Sequence, residues 1–163
     1  MTRVAAISDT HLPRGARRLP EACLELLRGA DLILHGGDLS SAAFLEELRA
    51  VGPPVEAVHG NADEPVLREL LPRDHVVEVA GARIGMVHIP GPAAGRAARL
   101  VARFPGCGAV LFGHTHLPVV ERHADVWILN PGSPTERRRG PFHSLLLLEV
   151  VRGEIRPELV RLS

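Results

Sequence analysis

Short apolar runs that stop abruptly at polar residues recur along this chain. Val4 to Ile7 ends at Ser8-Asp9-Thr10-His11, Leu32 to Leu34 ends at His35-Gly36-Gly37-Asp38, and Val55 to Val58 ends at His59-Gly60-Asn61. Each run reads as a buried strand with a polar loop at its C-terminal end. Helical spacing fills the gaps. Leu19 to Leu27 puts Leu19, Cys23, Leu26 and Leu27 on one face. Ser40 and Ser41 are candidate N-caps for a helix over Ala42 to Val51, which Pro53-Pro54 stops. A short helix spans Pro65 to Leu71.

The pattern then changes. Asp74 to Val79 and Arg83 to Val87 flank Ala80-Gly81-Ala82 and predict a hairpin, whose second strand ends at His88. Pro92 to Phe104 reads as a helix, and Ala109 to Phe112 as a buried strand ending at Gly113-His114-Thr115-His116. Val119 to Arg122, Val126 to Leu129, Ser144 to Val151 and Glu154 to Val160 read as an antiparallel series. Strands alternating with helices, then hairpins, predict a mixed α/β sandwich. In such sheets, sites collect at the C-terminal ends of strands. The polar clusters of this chain fall there repeatedly.

Composition narrows the function classes. The 163 residues fit a single domain, 1–163. Charged residues balance at 19 each, and all the cations are arginine. Neutral net charge and 3% aromatic content give little for tracking a nucleic-acid strand. Cys23 and Cys107 are far apart in apolar segments and read as buried free thiols, which excludes a thiolate metal site. With no leader pattern and no long apolar stretch, a soluble cytoplasmic protein is expected, with no membrane contact. Antiparallel edge strands near the C-terminus leave a route to pairing between subunits.

Five strand-end clusters share one vocabulary: Asp9-Thr10-His11, Gly37-Asp38, Gly60-Asn61, His88, and Gly113-His114-Thr115-His116. Asp, Asn and His offer oxygen and nitrogen donors, a set suited to Mn, Fe, Zn, Ni or Co. Glycine before a ligand lets the backbone turn and approach a phosphate. Singly, each cluster has an ordinary reading. Asp38 can be an N-cap, Asn61 a left-handed turn residue, and His88 a hydrogen-bonded structural histidine. Their joint occurrence at the ends of apolar runs points instead to a metal site.

In this order the clusters resemble the calcineurin-like metallophosphoesterase superfamily, and within it the small bacterial and archaeal phosphodiesterases. The superfamily pattern is D-x-H, G-D, G-N, H and G-H-x-H, and Asn130-Pro131-Gly132-Ser133 resembles the segment that follows it. The resemblance implies an α/β fold: a β-sandwich of mixed sheets flanked by helices, in four layers α/β/β/α. It implies that Asp9, His11 and His116 hold one metal ion, that Asn61, His88 and His114 hold a second, and that Asp38 bridges them. Asp38, Asn61, His88 and His114 would also act on the reacting phosphate. The implied activity is hydrolysis of a small phosphodiester by a metal-activated hydroxide, with Mn first among the candidate ions. A phosphomonoesterase is the near alternative. A scaffold protein on the same fold, such as the retromer subunit of eukaryotes, is marked by eroded ligand positions, and all seven are filled in this chain.

The chain departs from that pattern twice. Larger relatives carry a histidine after Gly-Asn as leaving-group acid, where this chain has Ala62. Many relatives also follow the fourth motif with glycine and histidine, where this chain has Ile89-Pro90-Gly91. Three groups stand outside the pattern. His35 and His59 read as packing or outer hydrogen-bonding groups, Asp63 as a carboxylate that orients a neighbouring group or as an exposed helix-start carboxylate, and Arg137-Arg138-Arg139 as a solvated run or an anion trap.

Overall fold

A computed structural model of the chain describes residues 1–162. Two five-stranded sheets stack face to face. The first has the order β10-β9-β1-β2-β3, from strands β1 (Thr2–Ile7), β2 (Leu32–His35), β3 (Val55–Ala57), β9 (Ser144–Val151) and β10 (Glu154–Arg161). The second has the order β4-β5-β6-β8-β7, from β4 (Asp74–Val79), β5 (Ala82–Val87), β6 (Ala109–Phe112), β7 (Val119–His123) and β8 (Val126–Asn130). Helices α1 (Glu21–Arg28), α2 (Ala42–Arg49) and α3 (Pro65–Leu70) contribute to the core on the outer face of the first sheet, and α4 (Arg96–Arg103) covers the second. This is the four-layer α/β/β/α arrangement.

Two-residue alternation builds the layers. In β1, Val4 and Ala6 face Met86, Leu111 and Leu129 across the sandwich, while Ala5 and Ile7 pack with Leu27, Leu45 and Leu48 of the helices. In β6, Ala109 and Leu111 point inward, and Val110 and Phe112 pack with Leu100 and Phe104. Each fully buried leucine contributes about 1.5–3 kcal/mol. Cys23 and Cys107 are buried free thiols in different layers, and burial pushes the Cys23 thiol up to about 12. Among the described residues no helix is long and apolar enough to cross a membrane.

The expected antiparallel series after residue 118 is split. β7 and β8 form a hairpin in one sheet, where β8 runs parallel to β6, whereas β9 and β10 form a hairpin in the other, where β9 is antiparallel to β1. Alternation reports which face of a strand is buried, and carries no information about its neighbour. The segment from 131 to 143 crosses between the sheets. Helix α4 starts later than the expected Pro92. Gly95 caps it in a left-handed conformation, and Arg99 donates to the carbonyls of Pro90, Pro92 and Ala94 in the preceding loop. Ser41 caps α2 as expected, its hydroxyl accepting from Phe44 N at 3.1 Å.

The parallel strands position the polar loops. β1, β2 and β3 run in parallel, and so do β5, β6 and β8. Their C-terminal ends meet at one edge of the sandwich, so loops far apart in sequence become neighbours: His114 N donates to Asp9 Oδ2.

Candidate metal centre

The pairing of β1 with β2 continues past the strands and shapes the first loops. Asp9 N donates to Gly37 O at 2.9 Å, His11 N to Asp38 O at 3.1 Å, and Leu12 N to Leu39 O at 2.9 Å. Asp9, His11, Asp38, His114 and His116 all have positive φ, between 47° and 73°. Such a backbone costs a non-glycine residue about 1–3 kcal/mol and persists only where the surroundings enforce it. Here it turns Asp9 and His11 of the D-x-H loop toward one centre and divides His114 and His116 of the H-x-H loop between two.

Two donor groups result. Ligand-capable atoms of Asp9, His11 and His116 all lie within 4.8 Å of one another, and so do those of Asp38, His88 and His114. Asn61 joins the second group, its Oδ1 accepting from His88 Nε2 at 3.1 Å and from His114 Nδ1 at 3.0 Å. All seven residues singled out in the sequence are thus brought together. Asp9, His11 and His116 are buried, whereas Asn61 and His114 are exposed.

Four of these side chains are tied on their outer side, which turns the other polar atom toward the centre. Asp9 Oδ2 accepts from Ser8 Oγ at 2.7 Å and His114 N at 3.1 Å, which leaves Oδ1 facing inward. Asp38 Oδ1 accepts from Ala62 N at 2.8 Å, which turns Oδ2 to His88 Nε2, 3.1 Å away. His88 Nδ1 donates to Gly36 O at 2.7 Å and His116 Nδ1 to Glu136 O, which turns both Nε2 atoms to the centre. Such outer hydrogen bonds set the ring orientation that metal ligation needs.

The electrostatics also fit cations. Asp9 Oδ1, His11 Nε2 and His116 Nε2 are buried without a hydrogen-bond partner. His116 Nε2 lies 3.4 Å from Asp9 Oδ1, an ion-pair contact that is misaligned for a hydrogen bond. Burial opposes charge on His88 and His116, yet Asp38 and Asp9 outweigh it and raise both rings above the usual histidine range. Burial also disfavours the charge of Asp38, but the hydrogen bond from His88 lowers its carboxyl to about 2. The cluster therefore attracts positive charge at the positions where divalent ions fit, with the oxygen and nitrogen donors such ions take.

The motif glycines have a use other than approach to phosphate. A Cβ on Gly60 would stand 2.1 Å from Asp38 Oδ1, and one on Gly113 would stand 2.2 Å from Ser8 Oγ and 2.8 Å from Asp9 Oδ2. The glycines make room for the carboxylates.

Residues around the ligands brace the loops. Asp63 is buried, not an exposed helix-start carboxylate: it accepts from Gly60 N, Asp38 N and Ser40 N, at 2.7 to 3.1 Å. Burial raises its carboxyl despite these donors. Asn130 bonds Gly113 O and Thr115 Oγ1, while Ser133 and Thr135 donate to the carbonyls of Asp9 and Thr10. The segment after β8 therefore straps both H-x-H and D-x-H loops. It also brings in Glu136, which the motifs do not mark. Its carboxylate lies 3.5 Å from His11 and is flanked by Arg14, Arg17 and Arg138. Arg137 bonds Gly140 O in its own loop.

His35 is an outer hydrogen-bonding group, as read from the sequence. Gly37 N donates to its Nδ1 at 3.0 Å, so Nε2 carries the proton and donates to Thr10 Oγ1. Burial lowers its pKa to about 3. Between about pH 6.5 and 3 the unfolded chain therefore holds a proton that the folded chain refuses, so stability falls as pH drops through that window, by up to about 1.4 kcal/mol per pH unit. Urea unfolding of metal-free protein at pH 7 and pH 5 checks this. His35→Asn, which keeps an acceptor for Gly37 N but does not titrate, is expected to reduce the pH dependence.

A family model for the calcineurin-like phosphoesterase superfamily domain matches residues 2–153. Over 161 residues the chain is 36% identical to a probable metallophosphoesterase of Methanothermobacter thermautotrophicus, covering 97% of this chain and 91% of that one. The fold matches the solution structure of a Thermotoga maritima protein with a TM-score of 0.78 and 35% identity, over 99% of this chain and 100% of that one. It also matches Vps29 of Entamoeba histolytica, crystallised with zinc, with a TM-score of 0.75 and 25% identity over 98% of each chain. With the model spanning nearly the whole chain and its strand-end residues converging as described, the protein belongs to the calcineurin-like phosphoesterase superfamily.

Proposed function

We propose that the protein hydrolyses phosphodiesters with two divalent cations. Asp9, His11 and His116 would hold the first, Asn61, His88 and His114 would hold the second, and Asp38 would serve both. The observation that carries this reading is Asp38 Oδ2, a single buried carboxylate oxygen that lies 3.7 Å from His11 Nε2 and 3.1 Å from His88 Nε2. When bound, such a pair of ions clamps a phosphate, offsets charge on its attacking and leaving oxygens, and supplies hydroxide near neutral pH. The zinc in Vps29 supports metal binding on this fold, and the donor set here equally suits Mn.

The chain itself does the positioning. His114 and Asn61, the exposed members, face the side from which substrate arrives. A cavity of about 220 Å³ adjoins Asn61 and His88 and is lined also by His59, Arg68, Arg73 and Ile89. It is smaller than the roughly 300–1,000 Å³ of drug-sized pockets, which favours a small ester group. Ala62 offers only its N–H, which is taken by Asp38 Oδ1. With no side-chain acid at that position, leaving groups that are stable as anions are favoured.

The test is turnover of metal-loaded protein on a bis-aryl phosphodiester, the matching aryl monoester, and a diester with alkyl leaving groups. The expected order is aryl diester first and alkyl diester far slower. Turnover of the monoester alone would overturn the diester assignment. A panel of cyclic nucleotides, nucleotide diesters and phosphodiester lipids then narrows the substrate.

A further inference from the structure

Four buried side-chain atoms among the described residues have no hydrogen-bond partner: Asp9 Oδ1, His11 Nε2, His116 Nε2 and Glu136 Oε2. Three belong to the first donor group. The fourth lies 3.5 Å from His11 Nε2. Resting on the two-cation reading above, we infer that Glu136 is the outer carboxylate of the first cation site and makes it the tighter of the two.

The placement of Glu136 is built, not incidental. Its N–H donates to Ser133 Oγ at 2.8 Å, and its carbonyl accepts from the ring of His116, so the same residue orients one ligand and faces another. Oε1 pairs with Arg14 and lies 3.5 Å from Arg17, and Oε2 lies 3.4 Å from Arg138. These guanidinium groups aim the carboxylate. Glu136 stands outside the tight cluster of Asp9, His11 and His116, so it acts from the outer side of a cation there.

Charge separates the two positions. The first is flanked by Glu136 as well as Asp9 and Asp38, while the second has Asp38, with Asp9 Oδ1 3.8 Å from His88, neutral Asn61 and two imidazoles, so Glu136 is the carboxylate that separates them. The first is also the more buried, where attraction is screened less. Carboxylate count and rigidity tune divalent affinity, and both favour the first position.

Calorimetric titration of chelator-treated protein with Mn²⁺ tests this without reference to catalysis. Wild-type protein is expected to bind in two distinguishable steps. Glu136→Gln is expected to weaken the tighter step by about 10–100-fold and to leave the weaker step in place. Arg14→Gln, which keeps the carboxylate and leaves Arg17 and Arg138 beside it, is expected to weaken the tighter step less than Glu136→Gln does. Melting in chelator shows whether E136Q is folded. If it is not, Glu136→Asp, which keeps the charge but retracts it, is expected to weaken the same step. Two equivalent steps in wild-type protein, a folded E136Q with less than about a tenfold loss, or an equal loss in R14Q would each overturn the role of Glu136. Wild-type protein that binds no Mn²⁺ would instead overturn the two-cation reading beneath it.

Discussion

Asp38→Ala is expected to lower turnover of an aryl phosphodiester by more than about 100-fold, beyond the loss typical of outer partners of a metal site. Asp38 is 3% exposed, and its Oδ2 faces both donor groups. Removing it leaves His11 and His88 without the carboxylate between them and takes one negative charge from each cation position. Asp38→Asn is the sharper variant. It keeps size and can accept from Ala62 N, but it lacks the charge that offsets repulsion between two cations. Both variants are also expected to lose part of the thermal stabilisation that metal gives wild-type protein, because ligand binding stabilises the fold in proportion to affinity. Near-normal turnover in either variant would remove Asp38 from the centre of the mechanism.

Gly60→Ala is expected to damage the site without altering any ligand. The added Cβ would sit 2.1 Å from Asp38 Oδ1 and 2.5 Å from Asp38 N, so Asp38 and its loop must move. Overpacking of this kind costs about 1–3 kcal/mol, which lowers the melting temperature by roughly 2–12 °C in a chain of this size. Displacement of the bridging carboxylate should reduce turnover by about 10–100-fold as well. Kinetics and melting on the same preparation separate the two effects. A variant that melts lower but keeps full turnover would mean that Asp38 tolerates displacement.

The layers were legible in the sequence because they depend on local pattern, and the candidate ligands because their motifs resemble those of a known family. The unbroken apolar runs Val4 to Ile7 and Ala109 to Phe112 mark strands buried on both faces, and each run ends just before a candidate ligand. The family pattern then ordered Asp9, His11, Asp38, Asn61, His88, His114 and His116. Sheet membership was not legible. The parallel partner of Val126–Asn130 is decided by long-range contacts, and its alternation suits either sheet. Asp63 could be read as an orienting group or as an exposed helix-start carboxylate, because a sequence does not reveal the amides of Gly60, Asp38 and Ser40 converging on it. Glu136 carried no signal apart from following Asn130 to Ser133. Its role emerges only once the strap lays it against His11. The left-handed backbone at five of the candidate ligand positions was also hidden, since Asp and His adopt positive φ more often than most residues but do not mark it as glycine does.

The most direct test of the two-cation phosphodiesterase reading is a titration. Protein stripped with chelator is supplied with increasing Mn²⁺, and bound metal and aryl diester turnover are measured on the same samples. The expected result is no turnover in chelator and a rise that levels off near about two ions per chain, the stoichiometry of a two-metal clamp. Full turnover by metal-free protein with chelator still present would contradict it.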